Sequence, residues 1–146
     1  MTFEEIIDRV IESEGGSKIT KDPSDAGGTT KYGISQRAYP DLDIEGLTER
    51  DAKEIYYNDY WIPSKASQVP AQIREIYFDM VVNFGKRGAV KVLQQACNGK
   101  NTYDIAVDGG IGPATLGVRI LPGVLDNKPL LTRGFLFIYK VLFKYI

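Results

Sequence analysis

Apolar residues recur at helical spacing in one segment after another, and that repetition restricts the chain to a mainly α fold. Phe3, Ile6, Ile7, Val10 and Ile11 form one stripe. Ile73, Ile76, Tyr77, Met80, Val81 and Phe84 form another over residues 71–84, and Ala89, Val90, Leu93 and Cys97 a third over 88–97. The ends of these segments carry matching signals. Thr2 reads as an N-cap with Glu5 at N3, a capping box, and Gly15-Gly16 stops the first helix. Thr48 and Asp51 repeat the device, with Leu47 able to staple onto Ala52 and a face of Ala52, Ile55, Tyr56 and Tyr60 behind them. A short helix is expected over 35–39, ended by Pro40. Gly85 ends the 71–84 helix. Pro113 opens one running to about Ile120, and a last helix spans roughly 129–145. Residues 17–35 differ. Turn formers alternate there with Thr, Ile and Tyr, which predicts short hairpin strands.

At 146 residues the chain is expected to be a single domain. Its formal net charge is -1, from 18 Lys plus Arg and 19 Asp plus Glu, whereas a protein living on phosphate contacts is far more basic. No nucleic-acid partner is therefore expected. The balance is uneven: residues 1–60 hold 14 acids and 7 bases, and residues 61–146 hold 5 acids and 11 bases. That pattern fits two differently solvated faces, or a polar cleft facing an anionic polymer. One cysteine excludes an intrachain disulfide. Zero histidines exclude an imidazole base relay and a zinc site built on imidazole. Acid–base chemistry then falls to carboxylates, and neither cofactor nor metal is expected. The N-terminus has no basic region followed by an apolar run, so no signal peptide is expected. Leu130 to Ile146 is the most apolar stretch, but Arg133, Lys140 and Lys144 interrupt it. It reads as a buried or half-buried helix, with a membrane-surface helix as the alternative, and not as a stable membrane insertion.

Glu14 does not fit its helix. At 100° per residue it falls about 20° from Phe3, in the middle of the apolar stripe, while Glu12 falls on the opposite side. Either the last turn frays and Glu14 reaches water, or a carboxyl is held at the edge of the core facing a cleft. Partial burial disfavours the charged form and raises the pKa, as a general acid near neutral pH requires. Gly15 and Gly16 allow close approach behind it. Glycosidic cleavage usually pairs such an acid with a second carboxylate. Asp22 and Asp25 both follow in the polar segment, and each could instead be a turn residue. Thr29, Thr30 and Tyr32 supply hydroxyls that could place a water or a sugar. Tyr32, Tyr56, Tyr60 and Trp61 are candidate sugar platforms, or core.

Glu14-Gly15-Gly16, then Asp22-Pro23, then the run from Asp25-Ala26-Gly27-Gly28-Thr29-Thr30 to Tyr32-Gly33-Ile34-Ser35 resembles glycoside hydrolase family 108. Asn58-Asp59-Tyr60-Trp61 resembles that family's Tyr-rich segment. Phe78-Asp79-Met80 with Asn83 and Gly85 resembles its central buried helix. Leu93-Gln94 and the run from Val107-Asp108-Gly109-Gly110 through Pro113 to Leu116 resemble its C-terminal half, a predicted peptidoglycan-binding region. The chain departs from the family at Ser17, where an aromatic is common, and at Ala26, where proline is common. It also stops at Ile146, before the usual Gly-Trp.

The resemblance implies a lysozyme-like, mainly α fold with a small β or irregular region beside the active-site cleft. Residues 1–85 would be the catalytic half and 86–146 the helical half. It implies an N-acetylmuramidase of the kind made by phages and prophages or labelled secretion activator proteins, acting on bacterial peptidoglycan. Glu14 takes the role of catalytic acid, Asp25 and Thr30 assist it with Asp22 as rival to Asp25, and substrate contacts are expected from Asp22, Thr29, Tyr32, Tyr60, Asp79 and Asn83. A monomer is expected, made in the cytoplasm and reaching the wall by holin-type or dedicated release. The rival readings are a non-catalytic wall-binding or secretion-accessory protein and a lytic transglycosylase.

Overall fold

Two capping boxes start the front helices. In the computed structural model, α1 spans Phe3–Ser13 and α2 spans Glu49–Ile55. The Thr2 hydroxyl accepts from the Glu5 N–H while the Glu5 carboxylate accepts from the Thr2 N–H at 2.7 Å. Thr48 and Asp51 make the same reciprocal pair. Each box satisfies donors that a helix start otherwise leaves open. The structure describes residues 1–21, 28–98 and 104–116, and it divides into two compact units, Met1–Ser67 and Gln68–Ile146.

In the first unit the α1 stripe of Phe3, Ile6, Ile7, Val10 and Ile11 is buried, as its spacing predicts. Three short antiparallel strands follow in the order β1 (Thr20–Lys21), β2 (Thr29–Lys31) and β3 (Ile34–Ser35). Thr20 pairs with Thr30, and Lys31 with Ile34. The helix expected over 35–39 is a single hydrogen-bonded turn, in which the N–H groups of Ala38 and Tyr39 both donate to the Ser35 carbonyl. The Ser35 hydroxyl also accepts from Ala38, and Pro40 keeps Tyr39 from propagating a helix. After α2 the backbone widens into a π-helical turn, Tyr56–Trp61, before α3, Ile62–Ser64. Pro63 explains the widening. Proline cannot donate to the carbonyl four residues back, and in an α-helix its ring would clash with it.

The widened turn changes which side chains face inward. Tyr56 and Trp61, five residues apart, would lie about 140° apart on an α-helix. Here both are buried, at 2% and 6% exposure. Phe3 of α1 meets Tyr57 and Trp61 edge-on, with ring centroids 5.0 and 5.4 Å away. Lys53 links α2 to α1 through Asp8 at 2.6 Å, and bonds Glu49 within α2 at 2.7 Å.

The second unit is built on α4, Ala71–Asn98, which breaks at Gly85 (φ 72°) as the sequence predicts. Tyr77, Met80 and Val81 are buried before the break, and Ala89, Val90, Leu93 and Cys97 after it. Ile73 and Ile76 are only half-buried and Phe84 is 51% exposed, so the inward face turns toward Phe78. Pro113 opens α5, Pro113–Leu116. On the predicted stripes, Phe3, Ile7 and Val10 are each buried in the first unit, and Met80, Val81 and Leu93 in the second. Phe135 and the helix expected over 129–145 lie outside the described residues. Among the described residues, no helix is long and apolar enough to cross a membrane.

Candidate active site

The first helix ends in a Schellman motif, and Glu14 is its C-cap. Gly16 donates to the Ile11 carbonyl at 2.9 Å and Gly15 to Glu12 at 3.1 Å. Gly15 has φ 99°, a conformation open to glycine, and this reverses the chain directly after Glu14. Glu14 is half-buried there, as its place in the stripe predicts.

The β2–β3 hairpin comes back against this helix end. Its two-residue turn, Tyr32-Gly33, has positive φ at both positions, 53° and 76°. That is the signature of a type I′ turn, whose twist suits a tight hairpin. The Tyr32 N–H donates to the Gly16 carbonyl at 3.0 Å. From the other side, the Tyr56 hydroxyl donates to the Tyr32 carbonyl, also at 3.0 Å. A Cβ on Gly33 would fall 2.5 Å from the Tyr56 hydroxyl oxygen and 2.8 and 3.1 Å from Cβ and Cγ of Glu14. The turn backbone thus rests on the Glu14 side chain. Burial, then the Glu14 charge, push the Tyr56 phenol well above its ordinary range.

A ledge of tyrosines continues from Tyr56. The half-buried Tyr60 ring lies 5.3 Å from it. The Tyr39 hydroxyl donates to Asp59 Oδ2 at 2.7 Å, and burial followed by this bond raises the Tyr39 phenol. Of the four candidate platforms, Tyr56 and Trp61 are core side chains and Tyr32 is 9% exposed, whereas Tyr60 keeps an accessible part. An open concavity of about 490 Å³ lies beside α2, lined by Leu42, Leu47 and Ile55 with the carboxylates of Asp43, Glu54 and Asp59. Glu14 does not line it.

Thr29 and Thr30 are both half-buried on β2. As successive strand residues they project to opposite faces, so only one can serve a given side of the sheet. Asp22 and Asp25 lie outside the described residues. In the second unit, Asp79 is half-buried, and burial together with the Glu75 carboxylate raises its carboxyl above the usual range. Asn83 is exposed and bonds the Asp79 carbonyl at 2.9 Å. Among the described residues, no group of histidine, cysteine, aspartate and glutamate is placed to hold a metal ion.

The resemblance in the C-terminal half has a polar centre that residue spacing does not reveal. Gln94 is 1% exposed, and both ends of its amide are engaged. Its nitrogen donates to Asp108 Oδ1 at 2.9 Å and the Gly110 carbonyl at 3.0 Å, and its oxygen accepts from the Gly109 N–H at 3.0 Å. Asp108 also accepts from the Gly110 N–H. These bonds, and the nearby charge of Arg87, hold the Asp108 carboxyl below its usual range.

A helix end carrying a half-buried carboxyl beside a small antiparallel sheet, in a mainly helical chain, defines a protein of the lysozyme-like class. The sequence model of glycosyl hydrolase family 108 matches residues 7–85, more than half of the chain, and the chain belongs to that family. Among solved structures, Brucella abortus SagA is similar, with 28% identity and a TM-score of 0.63 over 79% of this chain. The chain spans 66% of that structure's length, just under two thirds. No curated protein matches it.

Proposed function

We propose that the chain is a peptidoglycan hydrolase, an N-acetylmuramidase cleaving the β-1,4 bond between N-acetylmuramic acid and N-acetylglucosamine. The observation that carries this reading is Glu14, half-buried at the C-cap of α1 within the segment matched by the family. Glu14 would protonate the departing glycosidic oxygen as the C–O bond breaks, and water would supply the hydroxyl to the anomeric carbon. Asp25, with Asp22 as rival, would stabilise the cationic transition state, and Thr30 would orient the water. Thr29, Tyr32, Tyr60, Asp79 and Asn83 would contact the glycan. Residues 86–146 would add wall binding. A carboxyl separation of about 5–5.5 Å goes with retention of configuration and about 6.5–9.5 Å with inversion. The family's phage, prophage and secretion-activator settings make action on an exposed wall the fitting context.

The test is digestion of purified peptidoglycan by the wild type and by Glu14→Gln, with products identified by mass. The wild type is expected to release fragments with a reducing end gained from water. Glu14→Gln is expected to fold and to lose roughly 10²–10⁴-fold in rate, the usual worth of a positioned acid. A folded Glu14→Gln that clears peptidoglycan at the wild-type rate removes Glu14 from the mechanism. Products ending in 1,6-anhydro sugars convert the assignment to a lytic transglycosylase, and binding without products to a wall-binding protein.

A further inference from the structure

We propose that Tyr56 is a positioning residue for Glu14, its hydroxyl holding the Tyr32-Gly33 turn against the glutamate side chain. The proposal rests on the reading of Glu14 as the acid. Tyr32 occupies the left-handed region at φ 53°. A bulky residue stays there only when its surroundings hold it. Both of its backbone polar groups are held. The N–H is bound to Gly16, two residues past Glu14, and the carbonyl to the Tyr56 hydroxyl. Gly33, the next residue, is pressed so closely on Cβ and Cγ of Glu14 that no methyl group fits between them. The wall on this side of the glutamate is therefore backbone, and the Tyr56 phenol is the side chain that bonds it, beside the strand pairing and the Gly16 carbonyl.

Tyr56 is suited to this task and to no direct contact with a glycan. It is 2% exposed, at the C-cap of α2 on the inner face that the sequence predicts. Burial and the Glu14 charge keep the phenol protonated, so it remains a donor throughout the neutral range. A carboxyl that must meet a glycosidic oxygen needs placement within about half an ångström, which depends on such supports.

The experiment compares Tyr56→Phe, Gly33→Ala and Glu14→Gln with the wild type on solubilised glycan strands. It measures kcat, KM, the pH profile of kcat and thermal unfolding, with activity read well below each protein's own melting temperature. Tyr56→Phe keeps the ring and removes the hydroxyl. Its kcat is expected to fall by about 10–100-fold, with KM within about twofold, and the pH limb belonging to the acid should move. A merely structural role would lower the folded fraction alike at every pH and leave that limb in place. A folded Tyr56→Phe with wild-type kcat and an unmoved limb overturns the proposal. If Tyr56→Phe does not fold, Gly33→Ala decides, since its methyl falls first against the Tyr56 hydroxyl and then against the Glu14 side chain, and so breaks the same support. A loss of kcat supports the proposal, and wild-type kcat overturns it. Glu14→Gln separates the two failures. If it stays active, the acid is misassigned and the proposal falls with it. If it is inactive while Tyr56→Phe behaves as wild type, only the positioning role fails.

Discussion

Gln94 shows how much a single neutral side chain can organise. Its amide ties the end of α4 to the loop at Asp108, Gly109 and Gly110, with Thr115 Oγ1 a further 3.4 Å acceptor. Every polar atom of that amide has a partner, and the side chain itself is buried, while Asp108 and Gly110 on the loop it holds are exposed. Removing it takes a bond from the Gly109 N–H and the Gly110 carbonyl and leaves a gap where the amide was buried. Gln94→Ala is expected to destabilise the protein by about 2–3 kcal/mol, read from urea unfolding. A loss under about 0.5 kcal/mol, the range of ordinary surface substitutions, would contradict this account. The sequence places Gln94 beside a recognisable Asp-Gly-Gly run but does not pair the two, because the bonds join residues 14 to 16 positions apart. The same limit applies to the candidate site. Glu14 is legible because a carboxylate interrupts an apolar stripe. The Tyr56–Tyr32 bond is not, since it spans 24 residues and ends on a backbone carbonyl that leaves no trace in residue type.

Helix starts were legible and helix shape was not. Thr2 with Glu5 and Thr48 with Asp51 mark the first residues of α1 and α2, because the capping geometry is local and needs those residue types at that spacing. The widened turn at Tyr56–Trp61 defeats a 3.6-residue reading, which puts Ile55 and Tyr60 on the inner face in place of Trp61. Pro63 was the available signal. The caps also give these helices a definite acid response. The Thr2 backbone bond, then the N-terminal ammonium, hold the Glu5 carboxyl below its ordinary range, and the Thr48 bonds do the same for Asp51. A carboxyl with a depressed folded-state pKa stabilises above its unfolded pKa, and that contribution is lost as pH falls through the folded value. Loss of the N-cap hydroxyl in Thr48→Ala is expected to cost about 1 kcal/mol near pH 7. The difference in melting temperature from the wild type should narrow below about pH 4, where Asp51 takes up its proton in the wild type too. A gap that stays constant down to pH 2 would mean the box contributes nothing through Asp51.

At the scale of the molecule, the mainly helical class and the hairpin region are both visible in hydrophobic period and turn content, since each depends on neighbours close in sequence. The second carboxylate of the proposed site, Asp25 or its rival Asp22, lies outside the described residues. Chain length favours one cooperative domain, whereas the contacts group residues into Met1–Ser67 and Gln68–Ile146. The chain happens to carry a means of asking. Its one tryptophan, Trp61, is buried in the first unit, and its one cysteine, Cys97, is buried in the second. Burial also raises the Cys97 thiol, so it reacts slowly until exposed. Indole fluorescence and thiol labelling thus report on different halves of an unmodified chain during a single denaturant titration. We expect their midpoints to coincide, as they must for a two-state domain. If the thiol became reactive at a denaturant concentration where Trp61 emission was still native, the halves would be separate cooperative units. Two residues that take no part in the proposed chemistry would then serve as its internal spectators, reporting, one from each unit, which half lets go first.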